Sequence, residues 1–136
     1  MKPTRKQEKA ERARIVRAHR DFVYGKVLDR DADKYGAVRC VKCGRPYEEI
    51  HEIVPKGRAR GFEQVRYFIP ENCCALCIPC HSVSHTKKGR AELCRIMYEK
   101  YGYKYQSNGY AWVFFTKKID ELLAWSGVKS ELLDFL

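Results

Sequence analysis

The chain has 136 residues, enough for one domain and too few for two of ordinary size. Its 27 lysines and arginines face 17 acids, a net charge of +10 that concentrates polyanions and points to a nucleic acid partner rather than an acidic metabolite. Hydrophobic residues make up 45% of it, which excludes wholesale disorder. No apolar run approaches the ~18 residues that span a bilayer. The start, Met1 to Lys6, leads into more charge rather than the apolar stretch of a signal peptide, so a cytoplasmic location is expected.

Residues 1–20 hold eight cations (Lys2, Arg5, Lys6, Lys9, Arg12, Arg14, Arg17, Arg20) against Glu8 and Glu11. The first dozen positions have little to bury and read as an arm. From Ile15 onward, Ala18, Phe22, Val23 and Val27 recur at helical intervals and predict a helix from Ala10 to Arg30. Its charge has two accounts that stay open, a solvated face or a helix laid along phosphates. His19, on this basic helix, reads as a surface residue.

Cys40-Val41-Lys42-Cys43-Gly44 is a knuckle whose glycine lets the chain turn behind the second thiol. Glu49 to Pro55 reads as a short strand, Lys56 to Arg66 as a basic loop with Arg58 and Arg60, and Val65 to Ile69 as a returning second strand. Pro70-Glu71-Asn72 is a turn signal. Helices follow from Ile78 to His85, from Arg90 to Tyr101 and from Lys117 to Trp125. Between the last two, Asn108-Gly109 predicts a two-residue hairpin that pairs Tyr105 with Trp112 and Tyr103 with Phe114. Those aromatics are read as packing surface first and base-stacking surface second. Leu132, Leu133, Phe135 and Leu136 form an apolar tail.

Seven cysteines, an odd number without a signal segment, fit metal-bound thiolates better than a disulfide framework. Cys40-x-x-Cys43 and Cys77-x-x-Cys80 supply four thiolates for a closed tetrahedral zinc site, since a two-residue spacing lets two sulfurs from one turn reach one ion. Cys74-x-x-Cys77 satisfies the same spacing. Cys80 is the preferred partner because Cys74 then joins the apolar run Cys73-Cys74-Ala75-Leu76. Cys73, Cys74 and Cys94 are then small core hydrophobes. His81 and His85 lie one helical turn apart, and with His51 they can grip one ion in an open, three-ligand site suited to chemistry on a bound substrate.

The order Cys40-x-x-Cys43-Gly44, His51-Glu52-Ile53-Val54-Pro55, Asn72, Cys77-x-x-Cys80-His81-x3-His85 resembles the HNH endonuclease family, over roughly residues 22–90. The resemblance implies an α+β fold: a zinc-stapled ββα-metal core with an N-terminal basic helix and a C-terminal helix and aromatic hairpin. The corresponding segments are 1–38, 39–90 and 91–136 of one compact domain. It further implies hydrolysis of phosphodiester bonds in DNA, double-stranded in the first instance, by nicking or double-strand cleavage. His51, His81 and His85 would hold a catalytic divalent ion (Mg²⁺, Mn²⁺ or Ni²⁺), and Asn72 would brace the hairpin and help orient the base. Glu52 would occupy the place of the water-activating histidine. There the sequence departs from the usual pattern, because a carboxylate is a weaker base than imidazole at neutral pH and could ligate the metal instead. Adjacent strand residues point to opposite faces, so His51 and Glu52 share a site only at a strand end or bulge. Lys56, Arg58, Arg60, Arg66, Lys87 and Lys88 would hold the backbone. The likeness is to phage-type members, which act in the host cytoplasm. The alternative is a zinc-stapled nucleic-acid-binding module without catalysis.

Overall fold

Thr4 starts α1 (Arg5–Asp31) with a capping box: its hydroxyl accepts from the Gln7 amide at 3.1 Å, and the Gln7 side chain accepts from the Thr4 amide at 2.8 Å. The helix therefore begins well before Ala10, and the residues expected to form an arm are helical from Arg5. The sequence signal was the Thr4-x-x-Gln7 pair, which satisfies two of the amides a helix start leaves open. The computed structural model describes residues 2–106 and 117–128. The Asn108-Gly109 hairpin and the apolar tail lie outside the described residues.

Two antiparallel strands, β1 (Glu49–Glu52) and β2 (Cys73–Leu76), form the sheet in the register Glu49↔Leu76, Ile50↔Ala75, His51↔Cys74 and Glu52↔Cys73. The second strand is not at Val65–Ile69. That region opens with a 3-10 helix, Gly61–Arg66, which puts Phe62 and Val65 into the core. A second 3-10 turn, Pro70–Asn72, leads into β2. Strand β2 is buried at all four positions, so it lacks the alternation that marks a half-exposed strand.

The sheet separates two cores. Ile50 and Cys73 face α1, where Ile15, Val16, Val23 and Val27 pack with Phe62, Val65, Phe68, Leu122 and Leu123. Cys74 and Leu76 face the other way, into a cluster with Leu93, Met97, Ile53, Cys40 and Cys77. The last two leucines of the first core come from α4 (Ile119–Trp125). Leu93 and Met97 come from α3 (Lys87–Tyr101), which starts at the Thr86 cap, three residues ahead of the expected Arg90. Ahead of α3 runs α2 (Ile78–Ser84), with His85 as its C-cap. Arg30 and Asp31 tie the end of α1 to β2: the guanidinium donates to the Cys73 carbonyl at 2.6 Å, and Asp31 accepts from the Ala75 amide at 2.9 Å. Tyr103 and Tyr105, the described part of the aromatic segment, are half-buried, and the Tyr105 hydroxyl donates to the Glu71 carbonyl. Among the described residues no helix is long and apolar enough to cross a membrane.

Candidate metal centre

Gly44, at φ +78°, closes the knuckle after Cys43, and the Cys40 carbonyl accepts from its amide at 2.9 Å. Cys77 stands at the N-cap of α2 and Cys80 one turn on, with Glu48 accepting from the Ile78 amide at 2.7 Å. These two turns bring Cys40, Cys43, Cys77 and Cys80 together, all four sulfurs lying within 4.8 Å of one another. The structure thus pairs Cys80, not Cys74, with Cys77. Cys74 is fully buried under the sheet, where burial pushes its thiol up and keeps it uncharged.

The sulfurs fit a tetrahedral ion. Zinc–sulfur bonds of ~2.3 Å give sulfur–sulfur edges of about 3.8 Å, and Cys43 Sγ lies 3.5 Å from Cys77 Sγ. Burial pushes the Cys40 thiol up, but amides of Cys77, Cys43 and Lys42 outweigh it and bring it down to about 7. Burial, then hydrogen bonding to Cys77, Cys43 and Cys40, pushes the Cys80 thiol up. A set of sulfurs that resists releasing all its protons is what a cation resolves. The cluster can hold a structural metal such as zinc.

Helix α2 carries Cys80 on one turn and presents His81 to a second group. His51, His81 and His85 also offer ligand atoms within 4.8 Å of one another, their rings 4.7 to 5.1 Å apart. His51 is buried, His81 half-buried and His85 exposed, so this group reaches solvent at His85, as the cysteine cluster does at Cys43. The Nε2 atom of His51 is buried with no hydrogen-bond partner, the condition of a nitrogen placed to ligate a cation. Burial first, then the charges of His81, His85 and Arg90, push His51 down to about 4, leaving its imidazole neutral at pH 7.

Strand period puts Glu49 on the face of His51, and its Oε2 lies 3.1 Å from His81 Nδ1. That is ion-pair distance, although the ring is not aligned for a hydrogen bond. Sequence reasoning passed over Glu49, and the two-residue offset from His51 was the available signal. Glu52 goes the other way. Its carboxylate accepts from the Tyr24 hydroxyl on α1 at 3.2 Å, on the Ile50 side of the sheet, and is not brought to the histidines. Asn72 is buried and clamps the turn after β1: its Oδ1 accepts from the Val54 amide at 2.9 Å, and its Nδ2 donates to the carbonyls of Val54 and Tyr67. It braces the loop without touching the histidines.

Of the basic residues singled out, Lys56, Arg58, Arg60, Lys87 and Lys88 are all exposed. Arg66 is engaged internally, with Glu63 at 2.9 Å and the Lys117 carbonyl at 3.1 Å. Arg90 is half-buried with a partnerless Nε, and its charge is felt at His51. His19 overturns its surface reading: it is fully buried, 2.8 Å from the Phe68 carbonyl.

Fold and site together define a small α+β protein with helices on a two-stranded antiparallel sheet and a four-cysteine cluster able to hold a structural metal such as zinc. No family model, curated protein or solved structure matches the chain.

Proposed function

We propose that this chain is a metal-dependent endonuclease of the HNH type that hydrolyses phosphodiester bonds in DNA. The observation that carries the reading is the open histidine triad mounted beside a four-cysteine cluster on one short helix, with the third histidine supplied by the facing strand. The cysteines hold the frame, and His51 keeps a neutral, partnerless Nε2 beside His81 and His85. His51, His81 and His85 would hold the catalytic divalent ion, which when bound neutralises charge on the scissile phosphate and on the departing 3′ oxygen. Neutral imidazoles leave that charge undiminished for the phosphate. Glu49 sets a carboxylate 3.1 Å from His81 Nδ1 on the same strand face, within reach of the ring once it turns. Asn72 fixes the loop that follows His51. Lys56, Arg58, Arg60, Lys87 and Lys88 at the surface add affinity for the backbone without reading sequence.

Water activation falls by resemblance to Glu52, which Tyr24 holds on the opposite face of β1. That geometry favours the second reading, a zinc-stapled nucleic-acid-binding module without catalysis. Cleavage of supercoiled plasmid separates the two. With Mg²⁺, Mn²⁺ or Ni²⁺ the protein is expected to nick the plasmid. Excess EDTA and His81→Ala should each abolish nicking, while His81→Ala keeps its zinc content and helical signal. Full activity in a folded His81→Ala protein overturns the triad, and binding without cleavage under every ion establishes the second reading. Glu52→Ala tests the base: nicking that survives it assigns water activation to another group.

A further inference from the structure

The N-terminal half of α1 and the loop after β1 enclose a cleft of about 410 Å³ on the opposite side of the sheet from the histidines. Lys9, Arg12, Arg17 and Arg20 line it from the helix, Lys56 from the loop, and Phe68 contributes apolar lining, with Lys56 Nζ 5.8 Å from its ring. Among the described residues Lys9, Arg12, Arg17 and Lys56 form no ion pair, whereas Glu11 is taken by Arg14, which does not line the cleft, and Arg20 pairs with Asp21 at 3.1 Å. Like charges three residues apart, as in Lys9/Arg12 and Arg17/Arg20, oppose the helix. The capped helix holds them there all the same.

We propose that this cleft is a track for the sugar-phosphate backbone of a nucleic acid. From Lys9 to Arg20 the helix rises about 16 Å at ~1.5 Å per residue. Measured along a duplex axis, one strand places about five phosphates in that rise, at ~3.4 Å each. Three of the five cations are arginines, whose planar forks match phosphate oxygens, and the apolar lining focuses their field. The far end of the row meets Glu52, on the face of β1 turned away from the histidines. Arg20 lies over the Tyr24 ring at 5.8 Å, and Tyr24 donates to Glu52. A backbone held in the cleft therefore runs to the end of β1. The proposal rests on the nucleic-acid part of the preceding reading and not on catalysis.

The test is the salt dependence of binding of the full zinc-loaded chain to a short fluorescent DNA duplex, with no divalent ion added so that cleavage does not intrude. Neutralising the cleft in Lys9→Gln/Arg12→Gln/Arg17→Gln/Lys56→Gln should flatten the slope of log K against log salt by about 0.9 for each phosphate no longer neutralised. Neutralising exposed lysines elsewhere, in Lys26→Gln/Lys34→Gln/Lys100→Gln, should leave the slope near that of the parent. Circular dichroism confirms that both variants keep their helices. A cleft variant with the parental slope overturns the proposal, as does equal flattening by both sets. Loss of binding to phosphatidylserine vesicles with an unchanged DNA slope assigns the cleft to an anionic membrane instead. If the parent binds no DNA, the nucleic-acid reading falls and the cleft proposal with it. A flattened slope in a protein that never cleaves keeps the track and removes only the nuclease.

Discussion

His19 shows what a single side chain can hide in a basic helix. Ile15, His19, Val23 and Val27 fall at successive four-residue steps, so the histidine lies on the apolar stripe that faces the core. Its charged neighbours Arg17 and Arg20 obscured that placement in the sequence, although the interval was there to be counted. In the fold, Nε2 donates to the Phe68 carbonyl while Nδ1 is buried with no partner. Burial outweighs the carbonyls of Phe68 and Val65 and pushes the group below its usual 6.5. The unfolded chain therefore takes up the proton first as the solution is acidified. The stability His19 contributes is fully present above pH 6.5 and is lost as pH falls through the lower, folded value. His51, pushed down to about 4, adds a loss of the same sign. Urea unfolding should show stability falling from pH 7 to pH 5, by at most about 1.4 kcal/mol per pH unit for each proton taken up. His19→Gln, which can still donate to Phe68, should fall less steeply. A variant with the same pH slope as the parent would assign the loss to other groups.

At the scale of elements, the bodies of the helices were legible because apolar residues recur at helical intervals, whereas the starts of α1 and α3 were set late because the caps Thr4 and Thr86 were passed over; Gly102 at φ +76° ends α3. The first knuckle was legible because two-residue spacing and Gly44 fix a turn without help from the rest of the chain; the second needed a choice between Cys74 and Cys80 as the partner of Cys77. The second strand was not legible. Phe68 and Ile69 are as apolar as Leu76, and only the partner β1 decides which run becomes a strand. The direction of Glu52 was half legible: strand alternation said that it and His51 diverge, and Tyr24, 28 residues earlier, supplies the partner on the far side.

The junction of α2 and α3 is decided by one glycine. A Cβ on Gly89 would come 2.1 Å from the Val83 carbonyl oxygen and 2.8 Å from Ser84 Cα, both backbone atoms that cannot swing aside. Close approach there packs α3 against the end of α2 that carries His85. Gly89→Ala should lower stability by about 1–3 kcal/mol despite alanine's better helix propensity. Urea denaturation reads this directly, and an unchanged or higher stability would show that the helices are free to part.

For the whole molecule, the sheet divides the interior into two cores that answer to different forces. Among the described residues the α1 side holds eleven buried side chains, Ile15, Val23, Val65 and Leu123 with them, and needs no metal. The other side holds eight, two of which, Cys40 and Cys77, belong to the thiolate cluster, so its packing depends on what holds those sulfurs together. With the cation gone, the knuckle and α2 lose their common anchor and the thiols regain protons in a buried setting. Chelation of the metal should therefore loosen the molecule unevenly. Amide exchange should rise first across residues 39–54 and 73–85, which carry the knuckle, β1, β2 and α2, while the buried turns of α1 between Ile15 and Val27 keep their protection. Cys77→Ser should reproduce that pattern and also separate the histidines, since His81 and His85 ride on the helix that Cys77 caps. His81→Ala, which leaves every sulfur in place, should keep the exchange pattern of the parent. Uniform exchange across both cores after chelation would show instead that the metal supports the fold as one unit, and protection unchanged everywhere would remove it from the account of stability.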